Sequence, residues 1–460
     1  MRNNAGNEPG AWRGPGCRPD LLWQLVRPYG RYVYYALRPG RRPDYFRAPW
    51  RLRTGKLNDQ VLENLQFRLD HPDRVAFLFF PMVDWHVRFQ RSQQLARALA
   101  GMGHACVYLN PQLGCEYPAP YLFDPHPRLG ALPDGVLELH VHLPREHESH
   151  QRALGQSEIR RVVRAVEDVA HAGQFRNAVQ IVSFPRWLEV SESIKARHGF
   201  PVIYDCHDYL RGFPRISAEI LEREDALLER ADSVIFSSER LQATVTGPRP
   251  SLRRKSSLVR NGVNSADFAN APRPPRRGKP IVGYSGALES WFDVELLWQV
   301  AGAHPDCRFQ LLGRVEDRRV LRLKERPNIE LVGEAPYSEV PNYMRTWDAA
   351  MIPFLINPLT EAVDAIKLYE YFSAGLPVVS TPLPQVERFR GLVYIGGDAG
   401  SFSKCLDQAL AEDSGENRER RLAIARRETW ADRALSLIAI TRAWGAAAGS
   451  AAAGHTPRQL

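Results

Sequence analysis

The 460-residue sequence has only six cysteines, and none of them lies in a pattern that pairs cysteines or binds a metal ion. They occur at positions 17, 106, 115, 206, 307 and 405, with no CxxC and no His/Cys spacing typical of a metal site. A disulfide-dense secreted domain and a zinc-binding module are therefore excluded as the basis of the fold. The pattern indicates reduced thiols in a cytoplasmic protein.

Long apolar segments are also missing. The longest apolar run, Val75–Val83, contains a proline and falls far short of the ~20 residues that a membrane-spanning helix needs. No signal-peptide hydrophobic region follows the N-terminus. We therefore expect a cytoplasmic protein, either in solution or peripheral on the inner face of the membrane.

Lysine is absent from residues 1–53, although this segment is strongly basic. Eleven arginines against three acids (11 − 3) give it +8 of the formal net charge of +9, and nine aromatic residues are interleaved with them. Arginine with aromatic side chains suits an anionic surface such as a layer of lipid headgroups. A disordered tail or a segment packed on the body is the competing interpretation, and no nucleic acid partner is expected.

From residue 73 the sequence alternates short apolar strands with helical segments, which predicts a parallel α/β structure. The predicted fold class is α/β, with two facing Rossmann-like domains and a basic aromatic N-terminal extension. The predicted boundaries are residues 1–72 for the extension, 73–264 for the first domain, 265–279 for a Pro/Arg-rich linker, 280–430 for the second domain and 431–460 for a crossover helix and tail. A single helix from Asn417 to about Trp444 is expected to cross back over the first domain.

The loop after the first predicted strand of the first domain lacks the GxGxxG pattern. Ligands bind at the carboxyl edge of parallel sheets, so Trp85, Arg88 and Arg91, after the strand at 75–80, could face an acceptor. Packing and helix capping explain these three residues equally well.

His207 and Asp208 follow the strand Val202–Cys206, and as titratable groups in the same cleft they are candidate catalytic residues. On the next helix, Glu224 and Asp225 are expected to be solvated charges.

The most informative stretch runs from Ile352 to Glu387. A short strand leads into a polar loop, a helix is predicted from about Asp364, and Gly375 stands where that helix should stop. Lys367 and Glu370 are three residues apart and share one face of the helix. A cation and a carboxylate there can hold a nucleotide diphosphate and its ribose, although an ordinary surface ion pair has the same spacing.

The sequence of this stretch resembles the donor-binding core of family 4 glycosyltransferases, which have the GT-B fold. The matching motifs are Lys367-Leu368-Tyr369-Glu370-Tyr371, Ser373-Ala374-Gly375 and Pro377-Val378-Val379-Ser380-Thr381, with Pro327-Asn328-Ile329, Gly333 and Tyr337 upstream. Tyr204-Asp205-Cys206-His207-Asp208 and the hinge phrase Asn261-Gly262-Val263 also fit. The resemblance covers roughly Val75 to Ala443 and points to the cell-envelope, teichuronic-acid-like branch.

The resemblance implies transfer of a sugar from a UDP-sugar or GDP-sugar donor to a saccharide or lipid-linked acceptor. It implies retention of anomeric configuration, with no cofactor and no essential metal. Glu370 is then expected on the donor ribose and Lys367 near its phosphates. Gly286, which ends a strand in a glycine turn, is expected in the same nucleotide site together with Gly333 and Tyr337.

Without a divalent ion, protein cations and amides must neutralise the departing diphosphate. Lys367, Arg314 and the loop formed by Asn357, Leu359 and Thr360 are the candidates. One departure from the family is clear, because many members carry two glutamates eight residues apart and this chain has Ala362 at the first position. This departure makes a non-catalytic sugar-nucleotide-binding subunit one alternative function. The basic segment 1–53 makes a membrane-surface adaptor another.

Overall fold

The structure is a computed structural model that describes residues 65, 69, 71, 74–85, 88–111, 128–132, 134–141, 143, 150–268, 278–412 and 415–453, with side chains up to residue 444. The predictions for residues 1–53, including contact with an anionic membrane surface, lie outside the described residues. Most of the predicted linker lies outside them as well.

The first domain is built on an eight-stranded sheet with the strand order β3-β4-β2-β1-β5-β6-β7-β8. Its strands are β1 (Ala76–Phe80), β2 (Ala105–Leu109), β3 (Arg128–Ala131), β4 (Leu137–His140), β5 (Ala178–Val182), β6 (Val202–Cys206), β7 (Ser233–Phe236) and β8 (Ser256–Leu258). The helices are α1 (Arg91–Gly101), α2 (Gln156–Ala172), α3 (Leu188–His198), α4 (Ala218–Arg230) and α5 (Glu239–Thr246). All neighbouring strands are parallel except β3 and β4.

The second domain has a six-stranded parallel sheet with the strand order β11-β10-β9-β12-β13-β14. Its strands are β9 (Ile281–Ser285), β10 (Arg308–Leu312), β11 (Ile329–Gly333), β12 (Ala349–Ile352), β13 (Val378–Ser380) and β14 (Val393–Ile395). The helices are α6 (Val294–Ala303), α7 (Val340–Met344), α8 (Pro358–Ala362), α9 (Ile366–Ser373), α10 (Pro384–Glu387), α11 (Ala399–Ala411) and α12 (Gly415–Arg427). A final helix, α13 (Trp430–Ala453), follows.

The predicted fold class, two Rossmann-like α/β domains, is confirmed. Every residue of β1, β2, β5 and β6 is buried. Parallel strands covered by helices on both faces need such continuous apolar sequence, which is why the strand signals were readable. β3, β8 and β14 were not predicted. β3 (Arg-Leu-Gly-Ala) and β8 (Ser-Ser-Leu) contain no continuous apolar run, and β14 has only three residues.

The last helix belongs structurally to the first domain. Trp430, Ala434 and Leu437 of α13 pack into the cluster that contains Phe77 of β1 and Leu95 of α1. The chain therefore returns from the second domain to cover one face of the first sheet, in the direction that the sequence predicts.

The chain crosses between the domains at two places, and the two crossing segments pair with each other. The Val263 amide donates to the Glu428 carbonyl at 2.9 Å, and Val263 forms an isolated bridge with Thr429. A Cβ on Gly262 would lie 2.8 Å from the Thr429 carbonyl carbon, so only glycine fits this contact. Because this pairing uses the backbone at 428–430, the predicted single helix is wrong: α12 and α13 are separate helices.

Glu224 corrects the expectation of a solvated charge. Its side chain is only 5% exposed, and its Oε1 accepts a hydrogen bond from the Tyr204 hydroxyl at 3.0 Å. Burial raises the pKa of Glu224 to about 7, against the opposing effect of the Tyr204 hydrogen bond. Its neighbour Asp225 lies at the surface, where it pairs with Arg211 and Arg249.

We predict that Glu224 makes the fold less stable as pH rises. The folded state holds the Glu224 proton from the ordinary pKa of 4.5 up to about 7, so stability falls across that window and levels off above it. Glu224→Gln keeps a partner for Tyr204 and removes the titration. From pH 5 to pH 8 the wild type should lose ~1–3 kcal/mol of unfolding free energy relative to this variant.

Denaturant unfolding at several pH values measures this difference. Glu222→Gln, the same substitution at an exposed position of α4, is the control and should follow the wild type. Parallel pH curves for wild type and Glu224→Gln would show that Glu224 is ionised in the folded protein.

Candidate active site

The carboxyl ends of both sheets face each other, and side chains join them directly. Arg88 of the first domain pairs with Glu316 of the second, at 2.5 Å. The Ser238 hydroxyl donates to the Ala362 carbonyl at 2.6 Å, and Arg240 pairs with Glu361 at 2.7 Å. The candidate site is the cleft that these contacts border.

Two glycine turns form the second-domain wall of the cleft. Gly286 follows β9 with φ 142°, and Gly313 follows β10 with φ 155°. A Cβ on Gly313 would lie 1.8 Å from the Gly286 carbonyl oxygen, so the two turns touch through their backbones. Gly333, the last residue of β11, accepts the Gly313 amide at 2.8 Å through its carbonyl oxygen. The Gly333 carbonyl oxygen therefore holds the Gly313 turn in place.

Lys367 reaches from α9 to the Gly286 turn. A Cβ on Gly286 would lie 3.2 Å from the Lys367 ammonium nitrogen, so this nitrogen lies beside the turn backbone. The ammonium also lies 4.8 Å from the Phe354 ring centroid and 5.3 Å from that of Tyr284. Burial lowers the pKa of Lys367 to about 8, while Glu370 favours the charged form. The result is a partly desolvated cation directed at a backbone cradle.

Glu370, one turn further along α9, is 7% exposed. Burial raises its pKa to about 7, opposed by the charge of Lys367. The predicted pair of Lys367 and Glu370 thus lies on one face of the helix, inside the cleft. A surface ion pair does not describe them.

Arg314 lies at the carboxyl end of β10, where the sequence predicts it. Its side chain is 56% exposed, and its Nε lies 3.2 Å from Oε1 of Glu316. The same carboxylate oxygen binds Arg88. Glu316, which the sequence analysis did not single out, therefore holds one arginine from each domain.

The polar groups of the Asn357 loop form hydrogen bonds with one another. The Asn357 side chain caps α8 by accepting the backbone amides of Leu359 and Thr360, at 3.0 and 3.1 Å. Thr360 is 2% exposed, and its hydroxyl bonds within the loop. The amides that were predicted to face a diphosphate are directed at the Asn357 side chain.

His207 and Asp208 lie on the opposite wall. His207 Nδ1 lies 3.0 Å from the Asp205 carbonyl oxygen. A carbonyl only accepts hydrogen bonds, so Nδ1 carries the proton and the lone pair of the neutral ring is on Nε2. Nε2 lies 3.6 Å from Oδ2 of Asp208. With His207 15% and Asp208 24% exposed, both remain accessible from the cleft.

Two of the three residues predicted to face an acceptor are interior. Trp85 is 7% exposed and packs edge-on against Phe89 and Tyr108. Arg91 is 2% exposed and binds Asp205 at 2.8 Å. The packing interpretation therefore holds for both, and Arg88 alone of the three reaches across the cleft.

Position 362, where many family members carry the first glutamate, is buried. Ala362 is 1% exposed and packs into the first-domain core, so a longer side chain would be crowded at this position. Glu361, the neighbouring carboxylate, is committed to Arg240. A catalytic role for a first glutamate finds no support here.

A link between α1 and Tyr337 of the second domain was not predicted. Gln94 donates through Nε2 to the Tyr337 hydroxyl at 2.9 Å, and Phe89 stacks on the Tyr337 ring with a centroid distance of 5.1 Å. The available signal was a polar stripe on one helix face, formed by Gln90, Gln94 and Arg97 at spacings of four and three residues.

Among the described residues, no group of three or more His, Cys, Asp or Glu side chains could hold a metal ion. In the same part of the chain, no helix combines the length and apolarity needed to cross a bilayer. Lys367, Arg88 and Arg314 are positive groups at the described cleft, close to the backbone of the glycine turns.

Comparison with known proteins shows what parts of the chain are similar to. Residues 279–412 match the model of the family described as "Glycosyl transferases group 1". The chain is 31% identical over 255 residues to a Bacillus subtilis (strain 168) protein provisionally named as the teichuronic acid biosynthesis glycosyltransferase TuaH. The match covers 50% of this chain, and the chain spans 64% of that relative's length.

Solved structures share the architecture of nearly the whole described chain. Sucrose-phosphate synthase from Thermosynechococcus elongatus aligns with a TM-score of 0.60 and 17% identity, covering 81% of this chain and 100% of that one. Anabaena HepE, solved with UDP and glucose, aligns with a TM-score of 0.57 and 13% identity, covering 80% and 100%. At these identities the likeness shows the fold, which is GT-B.

We predict that Gly286→Ala removes nucleotide binding without unfolding the protein. The methyl group would lie 3.0 Å from Lys367 Cε, at a positive φ of 142°, so it displaces the ammonium and strains the turn. Nucleoside diphosphate affinity, measured by calorimetry, should fall more than ~10-fold.

Gly391→Ala is the matched control, because Gly391 has φ +90° and open space around its α-carbon. It carries comparable backbone strain away from the cleft. If both variants bind nucleotide as the wild type does, the Gly286 turn is not part of the site.

Proposed function

We propose that the protein transfers a sugar from a nucleoside-diphosphate sugar to an acceptor hydroxyl, because residues 279–412 match the model of the group 1 glycosyl transferases within a chain of GT-B fold. The donor is a UDP-sugar or a GDP-sugar, and the acceptor is a saccharide or a lipid-linked saccharide. The relative provisionally named for teichuronic acid biosynthesis supports a cell-envelope polymer as the product class.

One observation carries this proposal: the ammonium of Lys367 lies beside the Gly286 turn, with Glu370 one helical turn away. A flexible cation and a close-approaching backbone suit a diphosphate. A buried carboxylate suits the two ribose hydroxyls, because charged hydrogen bonds to hydroxyl groups are strong.

Charge neutralisation is the main demand of the reaction. The bond from the sugar's anomeric carbon to the phosphate oxygen breaks, and a bond to the acceptor oxygen forms on the same face of the sugar. The acceptor proton passes to the leaving phosphate. Lys367, supported by Arg314, offsets the charge that develops on the diphosphate, and this requires no metal ion.

The opposite wall is the acceptor side. His207 presents Nε2 to the cleft, because Nδ1 is held by the Asp205 carbonyl oxygen. It is suited to accept a hydrogen bond from a sugar hydroxyl, and when protonated it can pair with Asp208. A contribution of the basic segment 1–53 to binding an anionic membrane surface is proposed from its composition alone.

A second candidate function is nucleotide-sugar binding without transfer. The buried Ala362, at the position where many family members carry a glutamate, favours it. Release of nucleoside diphosphate from a labelled donor in the presence of acceptor separates the two functions. Binding with no release would leave the protein a non-catalytic subunit.

We predict that Glu370→Ala weakens nucleoside diphosphate binding by ~1.5–3 kcal/mol, the range for hydrogen bonds to charged groups. Calorimetric titration with UDP and with GDP measures the change. Glu419→Ala, which removes an exposed carboxylate paired with Arg426, should bind as the wild type does. Unchanged affinity in folded Glu370→Ala would remove Glu370 from the site.

We further predict that Lys367→Ala lowers turnover at saturating donor by ~10²–10³-fold, because its contact strengthens as the phosphate charge develops. Lys404→Ala, at an exposed lysine of the same domain, should keep full turnover. EDTA and Mg²⁺ should change the wild-type rate little. If EDTA abolishes transfer and Mg²⁺ restores it, a metal ion performs the task assigned here to Lys367.

A further inference from the structure

Glu316 joins an arginine of the first domain to an arginine of the second, beside the glycine turns. Its Oε1 accepts a hydrogen bond from Nη2 of Arg88 at 2.5 Å, and the same oxygen lies 3.2 Å from Nε of Arg314. The Arg88 side chain is 29% exposed and that of Arg314 is 56% exposed. Two cations thus share one carboxylate, which leaves one positive charge of the group unbalanced at the cleft.

The backbone of Glu316 is fixed to the segment that follows the Gly286 turn. The Glu316 amide donates to the Leu288 carbonyl oxygen at 2.9 Å, and Leu288 forms an isolated parallel bridge with Val315. Leu288 is only two residues beyond Gly286. The carboxylate that binds Arg88 is therefore held close to this turn.

The loop that carries Arg88 is ordered by neighbouring groups. Gln93 is 0% exposed and donates through Nε2 to the carbonyl oxygens of Arg88 and Asp84. Phe89, the next residue, stacks on the ring of Tyr337 in the second domain with a centroid distance of 5.1 Å. The Arg88 backbone is thus held in place, so a ligand that binds its guanidinium needs to order only the side chain.

The Arg88 guanidinium keeps hydrogen-bond donors for a ligand. Among the described residues it is bonded only to Glu316, through Nη2, so its Nε and Nη1 groups are available. Within the same part of the chain, the Arg314 guanidinium is paired only through Nε and keeps both terminal nitrogens. Guanidinium groups bind phosphate through two parallel hydrogen bonds, which suits these remaining donors to phosphate oxygens.

We propose that Arg88 binds the β-phosphate of the donor from the first domain, and that Glu316 positions Arg88 for this contact. The inference rests on the proposed function, in which the second domain binds the nucleoside diphosphate. The sugar of such a donor is attached to the β-phosphate and has to face the acceptor on the first domain. The β-phosphate is therefore the part of the diphosphate nearest to the first domain, where an arginine that reaches across the cleft meets it.

The test compares full-length Arg88→Ala with the wild type by calorimetric titration with UDP, GDP, UMP and GMP. The dissociation constant of the diphosphate that the wild type binds should rise about tenfold, because a charged hydrogen bond is lost. That of the matching monophosphate, which has no β-phosphate, should change less than about twofold. Unchanged diphosphate affinity, or an equal loss for diphosphate and monophosphate, would overturn the proposal.

Arg240→Ala is the matched control, because it removes a second ion pair between the domains, with Glu361 at 2.7 Å. It should bind all four nucleotides as the wild type does. A loss of diphosphate affinity in Arg240→Ala equal to that in Arg88→Ala would assign the effect to contact between the domains and contradict the role of Arg88.

Glu316→Gln provides a second variant if Arg88→Ala does not fold. The amide keeps an acceptor for Arg88 and removes a negative charge beside the phosphate, so the diphosphate should bind at least as tightly as to the wild type. Weaker binding would show that the ion pair itself sets the affinity, against this inference. Normal UDP and GDP binding by Glu370→Ala would instead contradict the proposed function. If Glu370→Ala weakens binding and Arg88→Ala does not separate diphosphate from monophosphate, only this inference fails.

Discussion

The structure depends on one buried ion pair and the residues that complete it. Arg91 and Asp205 are 2% and 0% exposed and 2.8 Å apart, and the same guanidinium donates to the Asn261 side chain at 2.9 Å. Asn261 in turn donates its backbone amide to Asp364 at 2.7 Å, just before α9. Removing one member of such a buried pair costs about 3–5 kcal/mol, because the other charge stays buried without its partner. The network therefore fixes α1, β6, the first crossing segment and the entrance to α9 in one arrangement.

This arrangement also fixes the position of α9, which carries the two side chains proposed to bind the nucleotide. α9 carries Lys367 and Glu370, and its start is held by Asp364, which also accepts the Tyr369 hydroxyl at 2.9 Å. Burial raises the pKa of Asp364, with Asn261 and Tyr369 opposing the rise. The carboxyl edges of the two sheets are thereby kept facing each other, as the proposed transfer from a donor on the second domain to an acceptor on the first requires.

The sequence was most informative where local chemistry determines structure. The fully buried strand Val202–Cys206 was predicted to the residue, and the Lys367/Glu370 spacing led to the correct helix face. The missed features depend on residues distant in the chain. Glu224 is buried because Tyr204, twenty residues earlier, satisfies it, and Gln94 meets Tyr337 only after the domains face each other. The helix is interrupted at Thr429 because this residue pairs with Val263. Helical periodicity in the sequence does not indicate such a pairing.

The most direct measurement is a crystal structure of the protein with a bound nucleoside diphosphate. The account predicts that a phosphate oxygen lies within about 4 Å of the Lys367 ammonium, beside the Gly286 turn, and that the ribose hydroxyls donate to the Glu370 carboxylate. A nucleotide bound instead at the carboxyl edge of the first sheet, or one whose ribose faces away from Glu370, would contradict it.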